Sequence, residues 1–189
     1  MKRWPLSLAA SLALASLGGL CTPAEVQRSR DQWDAEHERV LAHIPREQRR
    51  VMRQSYHGET LRIWLERDAT VAGVPCHGEV ELRAGKLAEA TLSAPHREGR
   101  LELPKGSRVF WGHPGGALGL ARIELGADTL IDGVACAARD SHGQTVEARF
   151  DESGALLWCT LAAPLPQNPD CVRGAMATIS AEGVTCSQR

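Results

Sequence analysis

The chain has 189 residues, 43% of them hydrophobic, and a formal net charge of −1. This allows one domain, or one domain with a small appendage, and excludes an intrinsically disordered chain. Charges of both signs run along the whole length, so the basic footprint of a nucleic-acid binder is missing and no nucleic-acid partner is expected.

The N-terminus carries an export signal. Lys2 and Arg3 form a positive start, and 5–20 is an apolar run of Leu, Ala, Ser and Gly. That run falls short of the ~20 apolar residues of a membrane span but suits a signal peptide, assigned here to 1–20. Cleavage signals stand at Ser16-Leu17-Gly18 and at Thr22-Pro23-Ala24. Cys21 raises a second reading, a lipidated N-terminus, although Leu20 departs from the small residue that lipoprotein signals place before the cysteine. No other stretch approaches spanning length. The expected product is exported (periplasmic, outer-membrane-associated or secreted), with no transmembrane span and about 165 residues left to build a core.

Export sets the reading of the cysteines. Cys76, Cys136, Cys159, Cys171 and Cys186 are disulfide candidates in an oxidising compartment, and one thiol is left over if Cys21 is removed or lipidated. Cys171–Cys186 is the favoured local pair, because both flank the last predicted hairpin. Cys76–Cys136 is disfavoured: equivalent positions two repeats apart stand about four strand spacings of ~4.8 Å from each other, beyond the ~7 Å Cα limit. No Cys-x-x-Cys occurs, which argues against a thioredoxin-like site and a closed zinc site.

In chain order, Thr22-Pro23-Ala24-Glu25 forms a capping box with proline at the first helical position. Val26, Trp33, His37, Val40, Leu41 and Ile44 then recur on one helical face. Pro45 interrupts the run and opens a second short helix, so 22–57 is predicted as a helical segment. Arg46, Arg49, Arg50 and Arg53, with Glu47 among them, read as its solvated face. After Gly58 the period changes. Leu61, Ile63 and Leu65 alternate with Arg62, Trp64 and Glu66, as a half-buried strand requires.

From there the strand-like runs resemble one another. Asp-Ala-Thr-Val-Ala-Gly-Val-Pro-Cys at 68–76 is followed by a strand from Val80 and by Gly-Lys-Leu-Ala-Glu-Ala-Thr-Leu at 85–92. Asp-Thr-Leu-Ile-Asp-Gly-Val-Ala-Cys at 128–136 is followed by a strand from Val146 and by Gly-Ala-Leu-Leu-Trp-Cys-Thr-Leu at 154–161. A worn copy at 103–123 lies between them, which makes the period about 30 residues. The unit resembles the MORN-like repeats of bacterial exported and antitoxin-like proteins over 65–163. That resemblance implies a scaffold or interaction surface and carries over no catalytic residue. The predicted fold is mainly β: antiparallel hairpin repeats at 60–163 in a single elongated or curled sheet, after the N-terminal helical segment. A loop and one last hairpin follow at 164–189.

The residue pattern holds no catalytic motif. The seven histidines form no His-Glu-x-x-His pair. Asp140-Ser141-His142 has the residue types of a hydrolase triad, but consecutive side chains diverge and the segment reads as a polar turn. His113-Pro114-Gly115-Gly116 lacks the Lys and Ser/Thr of a phosphate loop. No cofactor and no metal are expected. The binding surface is expected on the polar face of the repeats, where Glu81, Arg83, Glu147 and Arg149 form a charge stripe beside Trp64 and Trp158. The expected function is a structural or protein-binding role in the cell envelope. The alternative is a small exported hydrolase with a site assembled from distant residues.

Overall fold

The computed structural model describes residues 22–55, 58–112 and 119–187. The segment 1–20 expected to be a signal peptide, Cys21 and the 113–116 cluster lie outside the described residues. Helix α1 (Pro23–Leu41) opens at the expected capping box, in which Thr22 Oγ1 accepts from the Glu25 N–H and the Thr22 N–H donates to Glu25 Oε2. Val26, His37, Leu41 and the following Ile44 are buried, while Trp33 and Val40 are half-buried. No helix among the described residues is long and apolar enough to cross a membrane.

The second short helix is a correction. A single 3-10 turn (Arg46–Gln48) leads into strand β1 (Arg49–Gln54), so the helical segment ends at Leu41 and does not reach residue 57. Pairing with the next strand satisfies the backbone of β1, a tertiary gain that outweighs a weak helical preference. The arginine cluster therefore lies at the turn and on an edge strand, not on a helix face.

The remaining strands are β2 (Thr60–Val71), β3 (Val74–Arg83), β4 (Lys86–Leu92), β5 (His96–Glu98), β6 (Leu101–Leu103), β7 (Arg108–Trp111), β8 (Leu120–Glu124), β9 (Thr129–Ile131), β10 (Val134–Cys136), β11 (Glu147–Phe150), β12 (Leu156–Thr160), β13 (Met176–Ser180) and β14 (Gly183–Ser187). Ten of them form one antiparallel sheet in the order β1-β2-β3-β4-β7-β8-β11-β12-β13-β14, with β1 and β14 as its edges among the described residues. The fold is mainly β, as the alternation predicts. The expected last hairpin is β13–β14, and it extends the sheet through β12 instead of hanging from it. The hairpins β5–β6 and β9–β10 form two small separate sheets.

One face of the large sheet is the core face. Ile63, Val80, Ala90, Val109, Ile123 and Ala148 are each at most 1% exposed. These residues stand in register from β2 to β11: Ile63 opposite Val80, Val80 opposite Ala90, Ala90 opposite Val109, Val109 opposite Ile123 and Ile123 opposite Ala148. Leu41 and Ile44 of the helical end, Leu101 and Leu103 around β6, and Ile131 and Val134 of β9–β10 join the same cluster and cover it. The return-strand residues Leu87 and Leu156 meet Leu82 and Phe150 across their hairpins, on that face. Gly85 and Gly154 lie in the turns between, both with positive φ. At Gly85 a Cβ would also stand 2.9 Å from Glu36 Cβ, so only glycine lets α1 lie across this hairpin end.

A bulge follows each of these turns. Leu82 pairs with Leu87 and Glu81 with Glu89; likewise Phe150 pairs with Leu156 and Arg149 with Trp158. Each return strand thus carries one extra residue, Ala88 and Leu157. With Leu156 on the core face, unbroken alternation would turn Trp158 inward; because Leu157 is the extra residue and is 40% exposed, Trp158 takes the outer face and Cys159 the core.

Two disulfides form, Cys136–Cys159 and the expected Cys171–Cys186, and Cys76 is a free, buried thiol. Around them the same backbone contacts occur twice. Cys76 stands opposite Leu92, and Cys136 opposite Leu161. The Leu92 N–H donates to the Ser107 carbonyl and its own carbonyl accepts from Gly106; Leu161 is bonded in the same way to Ala175 and Gly174. The Ser93 N–H donates to the Pro75 carbonyl as the Ala162 N–H donates to that of Ala135.

Candidate functional site

The outer face of the sheet carries a continuous chain of paired side chains, placed there by alternation along each strand. It begins on β3, where Arg83 donates to Glu81 Oε1 at 2.9 Å and Arg62 of β2 donates to Glu81 Oε2 at 2.6 Å. Arg62 also reaches Glu79 at 3.1 Å and Glu89 of β4 at 3.9 Å. Arg108 of β7 donates to Glu89 at 2.6 Å through Nε and through a second nitrogen. The guanidinium carbons of Arg108 and Arg122 lie 5.3 and 3.7 Å from the centroid of the Phe110 ring. Arg122 of β8 donates to Glu147 at 3.1 Å, Arg149 donates to the same carboxylate at 2.8 Å, and the Arg149 guanidinium carbon stands 5.4 Å from the Trp158 ring.

The ladder contains five of the six residues assigned to the binding surface and adds Arg62, Glu89, Arg108, Phe110 and Arg122. Trp64 lies beside it, opposite Glu79 and packed against Gly78, where a Cβ would stand 3.4 Å from the indole. One expectation is corrected. Glu81 is only 5% exposed, because the stems and heads of Arg62 and Arg83 close over it, so it is not on a wet stripe. The other carboxylates behave similarly. Glu89 and Glu147 side chains are 10% and 24% exposed, whereas Arg83 and Arg149 are 60% and 51%. Carboxylates lie low and guanidinium groups lie above them. The outermost groups of the ladder are therefore guanidinium groups, with the paired carboxylates beneath them. Arg62 is held charged above its ordinary range, first of all by its hydrogen bond to Glu81.

No family model, curated protein or solved structure matches this chain.

Two other places bear on chemistry. At the turn end of the sheet, a cleft of about 600 Å³ is lined by Glu98, Arg100, Leu101, Leu120, Glu152 and Ser153 among others. Its polar groups are largely engaged: Glu98 with His96 at 3.5 Å, Arg100 with Asp132 at 2.9 Å, and Ser153 Oγ with Asp151 at 2.6 Å. Asp151 also accepts from the Ser153 and Ala155 N–H groups, so this serine belongs to a turn and faces no base. Asp140 accepts from the His142 and Gln144 N–H groups, which makes 140–144 the polar turn that the sequence indicates. Among the described residues no three His, Cys, Asp or Glu are grouped to hold a metal.

His37 is the buried ionisable group in α1. It is 1% exposed, and neither ring nitrogen reaches hydrogen-bonding geometry with a described residue, although the Glu59 backbone lies close. Burial lowers its pKa from the ordinary 6.5, against the opposing influence of Glu59, Asp34 and Glu36. The Cys76 thiol is pushed up to about 11 by burial, which keeps it protonated and unreactive at neutral pH.

Proposed function

We propose that this is an exported cell-envelope protein with a structural or protein-binding role, engaging its partner through the outer face of the ten-stranded sheet. The observation that carries the reading is the run from Arg108 across Phe110 and Arg122 to Arg149 and Trp158. Guanidinium groups stacked on aromatic rings form an ordered, largely prepaid surface, and Arg with Trp is the composition of interface hot spots. A protein partner with an acidic, partly apolar face fits it. Two disulfides favour an oxidising compartment, in keeping with the export signal expected at 1–20.

The recurring contacts around Cys76 and Cys136 support descent from a duplicated hairpin unit. On this reading the unit runs four strands, not one hairpin of about 30 residues: β2-β3-β4-β7 is matched by β8-β11-β12-β13. Ile63 opposite Val80 corresponds to Ile123 opposite Ala148, and Ala90 opposite Val109 to Cys159 opposite Ala177. A MORN-like scaffold is in keeping with that arrangement.

The test is affinity capture of envelope proteins by the exported chain, followed by binding measurements on the purified partner. Trp158→Ala and Arg149→Ala should each weaken binding by about 1–4 kcal/mol. Unchanged affinity in both would place the interface elsewhere.

A further inference from the structure

The two in-register arginine pairs of the outer face differ in one respect. Arg122 stands opposite Arg149, and Glu147 bridges them. Arg53 of β1 stands opposite Arg62 of β2, and Arg53 has no carboxylate partner among the described residues. Like charges directly opposite each other destabilise a sheet. This pairing also follows from an irregularity. Val51 pairs with Ile63 and Arg53 with Arg62, so Met52 is an extra residue in β1. Without that bulge Arg53 would share the core-side phase of Val51; with it, Arg53 is turned to the outer face.

The bulge delivers Arg53 to a cavity of about 290 Å³ whose lining includes Ser55, Thr60, Arg62, Glu81 and Arg83. Glu81 is buried there with both oxygens occupied, one by Arg62 and one by Arg83, so it acts as a brace that fixes two guanidinium groups. Arg62 is committed to Glu79, Glu81 and Glu89. Among the described residues the Arg53 guanidinium meets no acceptor, and Arg83 uses one nitrogen. Ser55 Oγ accepts from the Thr60 N–H at 3.0 Å, which leaves its own proton free to donate.

We propose that this corner binds the phosphate group of a ligand, held between Arg53 and Arg83 with the Ser55 hydroxyl as a third donor. One guanidinium satisfies both oxygens of a carboxylate, whereas two guanidinium groups from different strands with a hydroxyl suit the additional oxygens of a phosphate. The anion supplies Arg53 with the counter-charge that Glu147 supplies to Arg122 and Arg149. The site lies at the β1–β3 end of the face and does not depend on the partner surface at Trp158, so the two proposals fail separately.

Titration of the folded protein with inorganic phosphate, against sodium chloride at matched ionic strength, tests it. Phosphate should raise the melting temperature saturably where chloride does not. Arg53→Gln should weaken phosphate binding about tenfold or more without lowering the melting temperature of the ligand-free protein. Arg67→Gln, which removes an exposed arginine on β2 outside the cavity, should leave phosphate binding intact. Equal responses to phosphate and chloride, or equal losses in both variants, would overturn the site in favour of general screening. Retention on phosphatidylglycerol vesicles but not phosphatidylcholine vesicles, abolished by Arg53→Gln, identifies a lipid headgroup as the source; phosphate binding without vesicle retention identifies a soluble ligand.

Discussion

Cys76 and Ala90 occupy on β3 and β4 the positions that the disulfide-bonded Cys136 and Cys159 occupy on β10 and β12. Cys76 stands opposite Leu92 two residues beyond Ala90, as Cys136 stands opposite Leu161 two residues beyond Cys159. Cys76 is therefore unpaired because the position matching Cys159 holds an alanine.

This equivalence predicts that Ala90→Cys forms a third disulfide with Cys76. Closing that short loop should add about 2–4 kcal/mol of stability under oxidising conditions. Thiol counting and peptide mapping check it. A variant that keeps two free thiols after oxidation would show that the two hairpins are not equivalent.

Removing the second native bridge should have the opposite effect. Cys171 is fully buried in the connection between β12 and β13, and Cys186 anchors β14, the last strand of the sheet. Replacing both with serine should cost about 2–5 kcal/mol. The loss should begin with fraying of β13–β14, seen as faster amide exchange at residues 176–187 than in the rest of the sheet.

The two faces should respond differently to truncation. Phe150 is 2% exposed on the core face, so Phe150→Ala should cost about 3–5 kcal/mol through the cavity left behind. Glu147 bridges two partly exposed arginines, and Glu147→Ala should cost no more than about 1 kcal/mol. Glu81→Gln falls between, at about 1–3 kcal/mol, because a buried brace of two guanidinium groups is weakened. Chemical denaturation of the three variants should preserve that order.

His37 predicts a specific acid sensitivity. Its folded-state pKa is depressed by burial below the ordinary 6.5, so the unfolded chain takes up a proton first as pH falls. Stability is then full above about pH 7 and declines as pH drops below about 6.5 toward the folded-state value. His37→Leu should flatten this part of the profile. The lowered pKa of Glu38, held chiefly by its hydrogen bond from Arg49, adds a separate loss only below the ordinary 4.5. An unchanged slope between about pH 6.5 and 5.5 in His37→Leu would assign the sensitivity to another group.

The local elements of this protein were legible because short-range chemistry decides them. The Thr22–Glu25 box starts the helix with no tertiary help. Alternation at Leu61, Ile63 and Leu65 marks a strand, and the positive-φ turns at Gly85 and Gly154 need glycine wherever the strands go. The matching segments at 68–76 and 128–136, and the pairing of Cys171 with Cys186, follow from the same local information. Long-range pairing decided the rest. β1 is a strand because β2 offers it a ladder, and the bulges at Met52, Ala88 and Leu157 set which face each later side chain takes. A one-residue slip reverses every following side chain, so no period counted along the chain could place Arg53 beside Arg62 or bury Glu81 beneath two arginines. Nor could it join Cys136 to Cys159: that bridge depends on a hairpin folding back over the core of the large sheet, where sequence neighbours no longer determine spatial ones.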